Sequence, residues 1–216
     1  MEEREPNKFH FQKVDDLTQV GMSSERLSQT KDWIEQKAGK TPYGCLILRN
    51  GKVAAEWYGG GFSAESLFEI GSIRKSFNSA LIGIGLEEEK IDLNVRAVDA
   101  WPDITGISSD QADEAITLHQ LVSGTSGWLT PDPPGKTFVY NNAAFTAAER
   151  VVARIYGLAD DEIAPEVVKK FKIPLEAKSW KVYHFERKFT PEDIENPGPK
   201  LAIDSNLSDL IKWGYL

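Results

Sequence analysis

One cysteine in 216 residues removes two kinds of chemistry at the outset. Cys45 has no second cysteine to pair with, so an intrachain disulfide is impossible and a cysteine-rich metal site is excluded. Histidine is almost as scarce. His10, His119 and His184 stand far apart and form no His-Glu-x-x-His pair, which disfavours a histidine-built zinc site or a Ser-His-Asp triad. No metal and no other cofactor is expected. No apolar run approaches the length of a membrane span. The segment Met1–Lys8 is charged and lacks the apolar stretch of a signal peptide, so the chain reads as cytoplasmic or as one whose export signal has been removed. A net charge of −8 with scattered basic residues argues against nucleic acid or an anionic membrane as partner. Internal repeats and low-complexity segments are absent. What remains is ordinary: 41% hydrophobic and 27% charged residues, enough for a core in one large domain or two small lobes.

The pattern along the chain is mostly helical. Residues 1–22 are polar and read as an N-terminal arm. Leu27, Ile34 and Ala38 share one face of a first helix over Ser24–Ala38. Tyr43–Arg49 and Lys52–Tyr58 flank Asn50-Gly51, the dipeptide of a tight hairpin. Gly59-Gly60-Gly61 breaks the second strand. Ile73, Phe77, Ala80, Leu81 and Ile84 recur at helical spacing with little polar interruption, which predicts a buried central helix over Ser72–Glu88. Thr117 and Gln120 form a capping box for a short helix, with Ile116 placed to staple onto Leu121. Asn142 is placed to cap a helix that Gly157 stops. Ile163, Val167, Val168 and Phe171 mark another helix, and Leu207, Leu210 and Ile211 begin a last one.

Two short patterns carry chemistry. Ser72-Ile73-Arg74-Lys75 is Ser-x-x-Lys, which on a helix lets the amine reach the hydroxyl one turn away. Burial and neighbouring positive charge lower a lysine pKa and bring the neutral amine within reach as a base. The pattern alone is weak, since Ser28-Gln29-Thr30-Lys31 has it too, inside a polar helix. Ser72 differs in context: Gly71 permits a sharp approach and a strongly apolar helix follows. The second pattern is Tyr140-Asn141-Asn142, a Tyr-x-Asn. A phenol beside an ammonium can relay a proton, and a nearby amide can hold the lysine.

Four segments in order carry a family resemblance. Phe68–Phe77 around Ser72, Glu89–Asn94, Ile116–Trp128 and Pro134–Asn142 together resemble the class C β-lactamase and penicillin-binding-protein-like serine hydrolases, from about Tyr43 onward. The resemblance implies an α+β, β-lactamase/transpeptidase-like fold: a helical lobe beside an antiparallel sheet lobe, of which only the N-terminal hairpin is present. It implies Ser72 as nucleophile, Lys75 and Tyr140 sharing the proton transfers in an undecided order, and Asn142 as a substrate-binding residue. The Ser72 N–H would supply half of an oxyanion hole. The family's third motif, Lys-Thr-Gly or His-x-Gly on a late strand, is matched only literally by Lys212-Trp213-Gly214, whose surroundings read as helix. The chain therefore resembles a family member that stops before the late strands. Members of the family it resembles are often periplasmic or secreted.

The expected organisation is an arm over 1–22 and, over 23–216, the first portion of one domain: helix and hairpin in 23–71, helical lobe in 72–216. The expected function is hydrolysis of a small-molecule ester or amide through an acyl-enzyme, of carboxylesterase, β-lactamase or D-amino-acid peptidase type. The alternative is a catalytically silent binding module of the same fold. An open hairpin edge would favour self-association or pairing with a missing C-terminal segment.

Overall fold

The computed structural model describes residues 11–102, 104, 114–159, 162–171, 181–183 and 202–215. His10, His184 and the first ten residues of the arm lie outside them. The chain forms two compact units: Met1–Glu69 with Phe171–Lys181 and Asp204–Leu216, and Ile70–Lys170 with Val182–Ile203.

The first unit is built on the hairpin of β1 (Tyr43–Arg49) and β2 (Lys52–Gly59). Asn50 and Gly51 both take positive φ, 51° and 71°, the geometry that matches a two-residue turn to the strand twist. A bulge lies between Ile47 and Leu48. The arm is not loose here: Val53 N–H donates to the Gln12 carbonyl at 2.9 Å, and Val14 N–H donates to the Val53 carbonyl at 3.0 Å, so it covers part of the outer edge of β2. Helix α1 (Ser24–Ala38) begins where Ser23 Oγ accepts the Arg26 N–H, and it packs against β2 with Leu27 buried. Ser28 is exposed on it, and Lys31 pairs with Glu35 at 3.5 Å, so the decoy Ser-x-x-Lys is a solvated helix surface. A last helix, Leu207–Gly214, packs against β1. Within it Lys212 binds Asp209 one turn back at 3.0 Å, and Lys212-Trp213-Gly214 is helix rather than strand.

Beyond the hairpin the structure adds strands that the sequence pattern does not mark. β3 (Phe68–Glu69), β4 (Lys181–Tyr183) and β5 (Ala202–Ser205) form a ribbon in the order β3-β5-β4, with Phe68 opposite Ser205 and Glu69 opposite Asp204. Runs of two to four residues are too short for a period-two signal.

Between Ile70 and Lys170 the described elements of the second unit are helical. α2 (Lys75–Glu87) buries Phe77, Leu81 and Ile82. It is followed by α3 (Ala97–Ala100), α4 (Leu118–Val122) and α5 (Asn142–Tyr156). α5 packs on α2 and buries Ala144, Ala147, Ala148, Val151 and Val152, and the small alanines let the helices approach closely. α3 and α4 pack on α5 as well. α4 opens with the full capping box of Thr117 and Gln120. Leu118, Leu121 and Trp128 are fully buried, and each such side chain contributes about 1.5–3 kcal/mol of burial. α6 (Ile163–Phe171) ties back through Lys170 to Glu88 at 2.7 Å. The Leu207–Gly214 helix of the first unit is α7. Among the described residues no helix is long and apolar enough to cross a membrane.

Candidate active site

The nucleophile segment differs from a plain helix start. Gly71–Arg74 forms a 3-10 turn, and α2 proper begins only at Lys75. The tighter winding has a use, because side chains three apart eclipse in a 3-10 turn and Ser72 and Lys75 meet directly. Gly71 enters with φ 54°, a conformation that a side chain would strain.

Lys75 Nζ donates to Ser72 Oγ at 2.9 Å, to Tyr140 Oη at 3.2 Å and to Asn142 Oδ1 at 3.1 Å. Three oxygens thus surround Nζ, as many as the ammonium form has protons to offer. Ser72 Oγ and Tyr140 Oη lie 2.7 Å apart. All four residues singled out in the sequence, Ser72, Lys75, Tyr140 and Asn142, therefore meet in one cluster of the second unit.

Asn142 reaches this cluster because it is not the helix cap. Asn141 holds that position: its Oδ1 accepts the Ala144 N–H at 3.0 Å, and its Nδ2 donates to the Trp128 carbonyl at 2.8 Å. The expected cap is thus corrected by one residue. Asn142, the first helical residue, is left to hold Lys75.

The electrostatics suit proton transfer. Burial first, and then the Arg74 guanidinium beside it, hold the Lys75 amine below the ordinary lysine range, against the opposing pull of Tyr140 and Glu149. The hydrogen bond from Ser72, reinforced by Lys75, holds the Tyr140 phenol below its usual value, against its partial burial. Ser72 is exposed and Tyr140 is 49% exposed, so a substrate can reach both. Lys75 also borders a cavity of about 440 Å³ whose walls include Asn78, Ile82, Val122, Phe145 and Glu149.

Sequence reasoning missed three neighbours. Phe145 stacks edge-on against Tyr140 with ring centroids 5.1 Å apart, and its ring centroid lies 5.4 Å from Lys75 Nζ. Arg74 and Glu149 form a buried ion pair beside Lys75. The available signal was a charge on each of two otherwise apolar helical faces. Among the described residues no group of three or more His, Cys, Asp or Glu gathers to hold a metal ion.

The fold has known counterparts. The family model described as Beta-lactamase matches residues 36–214. A crystal structure of a class C beta-lactamase in complex with cefoxitin superposes with a TM-score of 0.66 at 16% identity, over 93% of this chain and 65% of that one. Another, of a class C beta lactamase, gives 0.66 at 16% over 90% and 66%. A putative beta-lactamase from Bacteroides dorei DSM 17855 gives 0.63 at 18% over 94% and 63%. At these identities the likeness concerns the fold alone. The chain spans about 65% of the length of the first of these.

Proposed function

The chain belongs to the beta-lactamase family, and from that premise we propose that the protein is a serine hydrolase working through an acyl-enzyme on Ser72. The observation that carries this reading is the hydrogen-bonded cluster of Ser72, Lys75 and Tyr140 on the exposed side of the second unit.

The chemistry follows from that cluster. Ser72 Oγ attacks the carbonyl carbon of an ester or amide, and its proton passes to the Lys75–Tyr140 pair. The pair is available to accept it because burial and the Arg74 charge disfavour the lysine ammonium and so bring the neutral amine within reach as a base. The Ser72 N–H, in the first turn of a helical segment, supports the developing oxyanion. As the tetrahedral species collapses, the bond to the leaving alcohol or amine breaks and the pair returns the proton to it. Water then attacks the acyl-enzyme, gives a proton to the pair, and releases the acid as Ser72 regains its own proton. Asn142 holds Lys75, and in this reading it also binds the substrate. Carboxyl esters, β-lactams and D-amino-acid peptides all present that carbonyl.

The test is intact-mass measurement after exposure to a fluorophosphonate and, separately, to a penicillin. One added phosphonyl or acyl group, mapped to the peptide containing Ser72, is expected. An unlabelled, folded protein would overturn the reading and leave the silent binding module.

A further inference from the structure

Arg74 stands at the second variable position of Ser72-x-x-Lys75, where the pattern asks nothing of the side chain. Ser72 and Ile73 before it are exposed, yet Arg74 turns inward and is only 4% exposed. Its guanidinium pairs with the Glu149 carboxylate, which is equally buried, and a second nitrogen reaches Thr146 Oγ1 at 3.4 Å. Thr146 and Glu149 lie one turn apart on α5, the helix whose first residue, Asn142, binds Lys75. Two tethers thus join the nucleophile turn to α5, one through Lys75 and one through Arg74.

Packing does not require charges here. Replacing a buried ion pair by well-fitted apolar side chains is often neutral or stabilising, because both ions must be stripped of water. What an arginine–carboxylate pair adds is directional placement, and a fixed charge that no accessible pH removes. That charge sits next to the one amine whose protonation the site must control.

We propose that Arg74, held by Glu149 and Thr146, is a positioning residue that fixes the Ser72 turn on α5 and sets a permanent positive charge beside the Lys75 amine. The inference rests on the acyl-enzyme reading above. Its consequence has a sign. Lys75 is faced by Ser72 and Arg74 from its own turn, by Tyr140 from the segment before α5, and by Asn142 and Glu149 from α5; Val122 of α4 adds an apolar wall to the adjoining cavity. Arg74 pushes Lys75 toward the neutral amine, whereas Tyr140 and Glu149 pull toward the ammonium. Removing the Arg74 charge therefore moves the Lys75 titration to higher pH, and removing the Glu149 charge moves it lower.

The experiment compares wild type with Arg74→Gln, Glu149→Gln and the double variant Arg74→Met/Glu149→Met, which leaves neither ion orphaned. Two quantities are read across pH: the rate of Ser72 labelling by a fluorophosphonate, and the Lys75 titration by NMR, which needs no reaction. Arg74→Gln and the double variant are expected to move the titration and the rising limb of labelling upward. Where the limb moves up by about one pH unit, labelling at neutral pH slows about tenfold. Glu149→Gln is expected to move both downward. An unmoved Lys75 titration in folded variants overturns the inference, even where labelling is slower, since that marks a strut alone. Failure of every Arg74 variant to fold overturns it as well, by making the residue a determinant of stability only. An unlabelled wild type instead overturns the acyl-enzyme reading, and the NMR titration still decides the role of Arg74.

Discussion

Two serines in this chain carry the same pattern, and their surroundings separate them. Ser72 has an amine and a phenol on its hydroxyl, while Ser28 sits on a solvated helix whose Lys31 pairs with Glu35. Ser72→Ala is expected to abolish covalent labelling and to cut turnover by about 10³-fold or more, the scale of losing an acyl-transfer nucleophile. Ser28→Ala is expected to change neither. Labelling that survives in Ser72→Ala would identify another nucleophile. The pH dependence follows from the two lowered groups. Lys75 and Tyr140 both lie below their ordinary values near pH 10, so the pair gives up a proton, and labelling rises, below about pH 10. Tyr140→Phe removes a group that stabilises the Lys75 ammonium, so the limb should move to lower pH while the maximal rate falls by about 10²-fold or more. A limb that moves upward in Tyr140→Phe would contradict this electrostatic assignment.

At the level of the elements, the two adjacent asparagines divide the labour, and mutation can separate them. Asn141 uses both ends of its amide in buried hydrogen bonds, so Asn141→Ala loses a cap and a bond to Trp128, about 2 kcal/mol together. Asn142→Ala should leave the denaturation midpoint near wild type and slow labelling about tenfold or more, the scale of one hydrogen bond to a charged group. The opposite pattern in chemical denaturation would return the cap to Asn142. Sequence alone could not divide them, because either asparagine satisfies the preference for a short polar side chain at a helix start. The hairpin, α1, the capping box of α4 and α6 were legible, since each rests on local signals that the structure honours. The meeting of Ser72, Lys75, Tyr140 and Asn142 was expected as well, because the family resemblance, and not any local signal, joins the two motifs across the chain. The partnership of Arg74 with Glu149 was not, since the two are 75 residues apart and nothing local joins them. The ribbon of β3, β4 and β5 was missed for the same reason: its pairing is set by distant chain segments, not by local alternation.

For the whole molecule, the exposed flank of the hairpin has a consequence for behaviour in solution. Among the described residues β1 and β2 form a two-stranded sheet, and such a pair is marginal in water without cover. Residues 12–14 bond to the outer edge of β2 at Val53, while among the described residues no strand pairs with the other edge of β1. α1 packs on β2 and α7 on β1, but a helix supplies no ladder of backbone partners. The unpaired N–H and C=O groups of such an edge template the addition of another strand. Self-association of the 216-residue chain through β1 is therefore the expected outcome. Sedimentation across a range of concentrations should show a mass that rises with concentration. Hydrogen exchange should show alternate β1 amides gaining protection over the same range, because only every second residue of an edge strand points its backbone groups outward. Both signals are needed, since association through the exposed side chains of the helical unit would raise the mass without protecting β1. A concentration-independent monomer, or an oligomer whose β1 amides exchange as fast as in the monomer, would show that the edge is not the adhesive surface.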